Sequence, residues 1–142
     1  TGAAGRARPG FRPRILLAED NAVNLKLATT LLEKLGHRVT TAADGAQAIA
    51  TYELGGFDLI LMDMMMPVVD GLAAIKRIRE REAEAGWRRT PVIALTAHAL
   101  QGDRERFLQG GADGYVPKPI NVEALTRAIV EAVTPSSGKD WQ

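Results

Sequence analysis

The sequence predicts an α/β fold, a single parallel sheet of five strands with helices packed on both faces. Three observations predict it. Short runs of β-type residues alternate with helical patterns along the chain, as in a succession of strand–helix units. Several of these runs are apolar at every position, whereas a strand wetted on one face would alternate, so the sheet is expected to be covered on both sides. No internal repeat or heptad seam interrupts the pattern, and right-handed crossovers would close it into one doubly wound sheet.

The first strand is expected at Ile15, Leu16, Leu17 and Ala18, and the first helix at about 23–35. There Leu27, Leu31, Leu32 and Leu35 form one stripe, and Gly36 ends the helix at a left-handed position. The second strand covers 39–42. A helix follows from Gly45, capped by Asp44, burying Ala48, Ile49 and Tyr52 until Gly55 and Gly56 stop it. The third strand covers 59–62, and a helix at about 72–84 turns Ile75 and Ile78 inward. Val92, Ile93, Ala94 and Leu95 make the fourth strand, and a helix at about 100–109 stops at Gly110 and Gly111. A short fifth strand at Tyr115 and Val116 precedes the last helix, 122–133, whose Leu125, Ile129 and Val133 share a face.

A chain of 142 residues accommodates one domain, expected at 13–134 between a linker at 1–12 and a tail at 135–142, both expected to be flexible. With 46% apolar and 25% charged residues it can bury a core. A formal charge of +1 gives no global field toward nucleic acid or an anionic membrane, so no direct nucleic-acid partner is expected. The absence of cysteine removes disulfides, thiolate catalysis and cysteine-bound metals. No apolar run approaches the roughly 20 residues of a membrane span, and no secretory signal is visible at the start. A cytoplasmic location is the expectation.

In a doubly wound sheet, the carboxyl ends of the strands gather at one crevice where ligands bind. Glu19 and Asp20 follow the first strand, Asp63 the third and Thr96 the fourth, while Lys118 and Pro119 follow the fifth. Three carboxylates brought together repel unless a cation compensates them. Oxygen-only donors point to a hard ion, and Mg²⁺ fits because it takes few carboxylates and keeps water positions open to a phosphoryl oxygen. Lys118 adds a fixed positive charge and Thr96 a hydroxyl. A carboxylate nucleophile beside such neutralising groups is what phosphoryl transfer requires.

Asp20, the run Asp63-Met64-Met65-Met66-Pro67-Val68-Val69-Asp70-Gly71, then Leu95-Thr96-Ala97 and Lys118-Pro119 resemble the receiver domains of two-component response regulators. The resemblance covers about 14–133, and it implies a flavodoxin-like (βα)5 fold. Asp63 resembles the phosphoacceptor, Glu19 and Asp20 the acidic pair serving Mg²⁺, Met65 a contributor of its main-chain carbonyl to that metal, and Lys118 the phosphate-contacting lysine. Thr96 and Tyr115 correspond to the switch pair, and Pro119 to a cis-proline. The opening run 15–24 with Leu95-Thr96-Ala97-His98-Ala99 is similar to the receivers at the carboxyl end of hybrid sensor kinases, and the lack of a DNA-binding segment after Val133 agrees.

The resemblance implies a histidine kinase or a histidine phosphotransfer domain as partner, and a role as phosphoacceptor rather than as an enzyme on external substrates. It also allows a homodimer through the fourth helix, fifth strand and fifth helix. Two other readings compete: a Mg²⁺-dependent phosphohydrolase with Asp63 as nucleophile, and an interaction module that keeps only the fold. The first lacks an acid two residues after Asp63, where Met65 stands, and any insertion long enough for a substrate cap. Met65 and His98 stand where the family tunes hydrolysis, so slow phosphate loss is expected. Outside the site, the three methionines are expected to fill gaps, His98 and His37 to lie in solvated loops, and the charged run 76–84 to be a solvated helix face.

Overall fold

A computed structural model describes residues 13–66, 68–97 and 101–133, with side chains from 105 onward in the last segment. The expected linker at 1–12, the tail at 135–142 and His98 lie outside the described residues. Among the latter the order is β1 (Arg14–Ala18), α1 (Ala22–Lys34), β2 (Arg38–Ala42), α2 (Gly45–Tyr52), β3 (Leu59–Asp63), α3 (Gly71–Ala85), β4 (Val92–Thr96), α4 (Gln101–Gln109), β5 (Gly114–Pro117) and α5 (Val122–Val133). The strands pair in parallel in the order β2-β1-β3-β4-β5. The chain therefore steps from β1 outward to β2 and returns past it to β3, which puts the topological switch point between β1 and β3.

Strand periodicity divides the interior into two cores. Leu16, Ile60, Met62 and Ala94 face α2, α3 and α4, where Ala48, Ile75, Ile78 and Phe107 meet them. Ile15, Leu17, Leu61 and Leu95 face α1 and α5, meeting Ala28, Leu32, Leu125 and Ile129. This is the burial on both faces that the apolar runs require, each Leu or Ile contributing about 1.5–3 kcal/mol.

Four helices begin with a capping side chain just past a strand. Asn21, Asp44, Asp70 and Asn121 accept from the amides of Asn24, Gln47, Ala73 and Ala124 at 2.8–3.0 Å, satisfying first-turn N–H groups that have no partner within the helix. These caps fix the loops at the carboxyl edge of the sheet.

Three expectations are corrected. On α1 the buried residues are Ala28 and Leu32, with Leu25 packed beside them, while Leu27 and Leu35 turn outward; the covering elements select a different stripe from the one the leucines suggest. His37 is half-buried. The charged run on α3 is not wholly solvated, because Glu82 is buried and receives hydrogen bonds from Tyr52 Oη (2.7 Å), the Thr90 amide (2.7 Å) and Arg79 Nη1 (2.9 Å). Arg79 also donates to the carbonyls of Thr90 and Gly111 and to Asp113. Burial pushes the Tyr52 phenol up to about 12, with the neighbouring Glu82 carboxylate adding to it.

Candidate functional site

The parallel register sets the site. Ala18 lies opposite Met62 and Asp63 opposite Leu95, so Glu19, one step past β1, reaches the level of Asp63. Thr96 pairs with Pro117, and the Lys118 amide donates to the Thr96 carbonyl at 2.8 Å. The Lys118–Pro119 peptide is cis. Lys118 Nζ stands 2.8 Å from Glu19 Oε1 and 3.1 Å from Asp63 Oδ1. Both carboxylates are almost completely buried, while Asp20 is exposed at the rim.

The backbone holds these groups in place. The Met65 amide donates to Asp63 Oδ1 at 3.1 Å and the Asn21 amide to Glu19 Oε2 at 3.1 Å. Burial pushes the Asp63 carboxyl up to about 6; the Met65 amide and the Lys118 ammonium oppose that rise, and neighbouring Glu19 adds to it. For Lys118, burial alone would lower the ammonium, but Glu19 and Asp63 outweigh it and hold it above the ordinary lysine value. A metal-free site with two buried carboxylates and one lysine is thus short of positive charge.

Carboxylate oxygens of Glu19, Asp20 and Asp63 lie within 4.8 Å of one another. Glu19 Oε1 is buried and accepts no aligned hydrogen bond, its near neighbour being the Lys118 ammonium. Buried carboxylates short of positive charge, in a donor set made only of oxygen, fit a hard divalent cation.

Of the residues singled out in the sequence, Glu19, Asp20, Asp63 and Lys118 come together. Met65 contributes its amide, and its side chain is 65% exposed, whereas Met64 and Met66 sink into the core. Thr96 is buried at the end of β4 and lines a cleft of about 670 Å³ with the three methionines and Phe107. Tyr115, half-buried on β5 opposite Ala94, packs against the α3/α4 core. Sequence reasoning missed the Asn21 amide on Glu19 and the seat of Gly71, where a Cβ would overlap the Asp63 carbonyl oxygen and lie 2.8 Å from Met64 Cα. The Asp-Gly step at the start of α3 carried the signal for Gly71; nothing in the sequence marked the Asn21 amide.

Comparison with known proteins places these features in a family. The model of the response regulator receiver domain matches residues 15–130. The chain is 48% identical over 121 residues to hybrid signal transduction histidine kinase I of Dictyostelium discoideum, covering 82% of this chain and 7% of that kinase. The solved receiver domain of sensor histidine kinase PA1611 from Pseudomonas aeruginosa, with a magnesium ion coordinated in its active-site cleft, superposes with a TM-score of 0.78 at 44% identity, covering 87% of this chain and 99% of that one. The receiver domain of Saccharomyces cerevisiae Ssk1, solved in complex with the histidine phosphotransfer protein Ypd1, gives a TM-score of 0.82 at 32% identity over 85% and 88% of the two chains. The fold, the matched length and the identity agree: this chain belongs to the response regulator receiver domain family of two-component signalling.

Proposed function

We propose that the chain takes a phosphoryl group from the phosphohistidine of a histidine kinase or phosphotransfer protein onto Asp63. The observation that carries this reading is Lys118 Nζ held between the buried carboxylates of Glu19 and Asp63 at the switch point of the sheet. An oxygen of Asp63 forms the O–P bond as the N–P bond of the donor breaks, and the electron pair of that bond returns to the imidazole, which picks up a proton. Lys118 neutralises charge on the phosphoryl oxygens, Thr96 hydrogen-bonds one of them, and the Met65 amide fixes the Asp63 carboxylate.

Glu19, Asp20, Asp63 and the Met65 carbonyl would hold Mg²⁺, as the magnesium in the PA1611 receiver supports. When bound, the ion neutralises the charge that builds on the transferring group. The added dianion draws Thr96 and Lys118 toward Asp63, and Tyr115 follows Thr96 inward, altering the surface of α4, β5 and α5. That surface is the output face and the place for a homodimer.

On this reading the receiver spans 13–134, catalyses only its own phosphorylation and dephosphorylation, and works in the cytoplasm, with a hybrid histidine kinase as parent protein. Incubation with Mg²⁺ and acetyl phosphate, followed by intact mass, tests it: one phosphoryl adduct on the wild type, dependent on Mg²⁺ and absent from Asp63→Ala, is expected. No adduct with Mg²⁺ bound would favour an interaction module.

A further inference from the structure

Val68 adopts φ 69°, a left-handed conformation that is an outlier for a β-branched residue. Its side chain is 81% exposed, so no packing of its own rewards that backbone. Strain of this kind persists only where flanking structure over-determines it. One anchor lies at the near end of the loop, where Gly71 sits against the Asp63 carbonyl and its amide donates to the Met64 carbonyl at 3.3 Å. The other lies on a different element. A Cβ at Gly45, the first residue of α2, would overlap the Val69 carbonyl oxygen and stand 2.8 Å from both its carbonyl carbon and its Cβ. The backbone of Val69 is therefore pressed against a bare α-carbon.

We propose that the Gly45–Val69 seat is a positioning device for the acceptor site. It holds the loop between β3 and α3 so that the Met65 amide meets Asp63 and the metal-binding edge is preformed. Gly45 touches none of the reacting groups. Its position is fixed instead by Asp44, whose carboxylate caps α2 at Gln47, so the end of β2 reaches the acceptor through α2 and this contact. Any larger residue at 45 pushes Val69 outward and loosens the hold on the Met65 amide. The metal part of this inference rests on the proposed Mg²⁺ site; the part concerning the Met65 amide does not.

Two readouts on the intact chain test it, hydrogen exchange at the Met65 amide in metal-free protein and Mg²⁺ affinity by titration. Gly45→Ala is expected to speed Met65 exchange and weaken Mg²⁺ binding, each by about tenfold, as support residues of metal sites do. Val69→Gly, which loosens the same seat without crowding it, should move both readouts in the same direction, and it decides the matter if Gly45→Ala does not fold. Ala48→Gly, in the same helix and fully buried, should lower the melting temperature while leaving both readouts unchanged. The proposal is overturned if the seat variants leave Met65 exchange as in the wild type, or if Ala48→Gly moves it equally. A wild type that binds no Mg²⁺ would sink the proposed function, while the amide exchange would still decide the seat.

Discussion

Lys118 Nζ lies 2.8 Å from Glu19 and 3.1 Å from Asp63, so one ammonium serves two buried carboxylates. Burial raises the Asp63 carboxyl to about 6, and neighbouring Glu19 adds to the rise. Because that value lies above the unfolded one, the folded state binds more protons between about pH 4 and 6, and stability falls as pH rises through that window. Asp63→Asn should therefore stabilise the metal-free protein at pH 7.5 by about 1–2 kcal/mol, a gain that disappears near pH 4. Urea midpoints in chelator at the two pH values measure it; a stabilisation independent of pH would contradict the charge argument.

Removal of the cation should have the opposite effect. Lys118→Met leaves Glu19 and Asp63 facing each other unneutralised, so metal-free stability at neutral pH should drop by about 2–3 kcal/mol. Phosphorylation by acetyl phosphate should slow by about a hundredfold. Rates compared at saturating Mg²⁺ separate the two effects, and an unchanged rate would remove Lys118 from the chemistry.

Met65 projects its side chain into solvent two residues past Asp63, where it offers water no polar partner. Met65→Asn should leave the fold intact and shorten the lifetime of the phosphorylated protein several-fold by holding a water near phosphorus. Loss of the adduct followed over time by intact mass gives the answer, and equal lifetimes would show that water positioning lies elsewhere.

At the opposite edge of the sheet, Arg79 is the close cationic partner of buried Glu82 and also binds Asp113. Arg79→Leu strands the Glu82 charge and should cost about 2–4 kcal/mol. The acceptor site is remote, so Mg²⁺-dependent phosphorylation should be unchanged at temperatures well below the transition. A stability loss under half a kilocalorie, roughly the worth of an exposed ion pair, would mean that Glu82 finds water instead.

Val68 carries left-handed strain with an exposed side chain. Asparagine tolerates that backbone far better than a β-branched residue, so Val68→Asn should stabilise the protein by about 1 kcal/mol. A urea midpoint that does not rise would indicate that the loop relaxes in solution.

Much of this was legible because the relevant signals are local. Apolar runs such as 15–18 and 92–95 announce strands covered on both faces, and Asp44 and Gly36 mark where helices start and stop. Glu19, Asp20, Asp63, Thr96 and Lys118 each sit directly after or at the end of a strand, and parallel topology carries every strand end to the same edge. A sequence that fixes the strands and their direction therefore brings these candidate residues to one edge of the sheet.

Contacts between elements distant in the chain were decided only in three dimensions. Leu27 and Leu31 share a helical stripe with Leu32, yet Leu32 is buried and Leu27 is exposed, because β1 and its neighbours cover the face that carries Leu25, Ala28 and Leu32. Arg79 and Glu82 read as members of a solvated charge run until α2 and the loop before β4 bring Tyr52 and Thr90 against them. The roles of Gly45 and Gly71 arise from backbones pressed too close for a Cβ. Periodicity reports which face of an element is apolar, but the identity and distance of what covers it depend on packing, which no local pattern encodes.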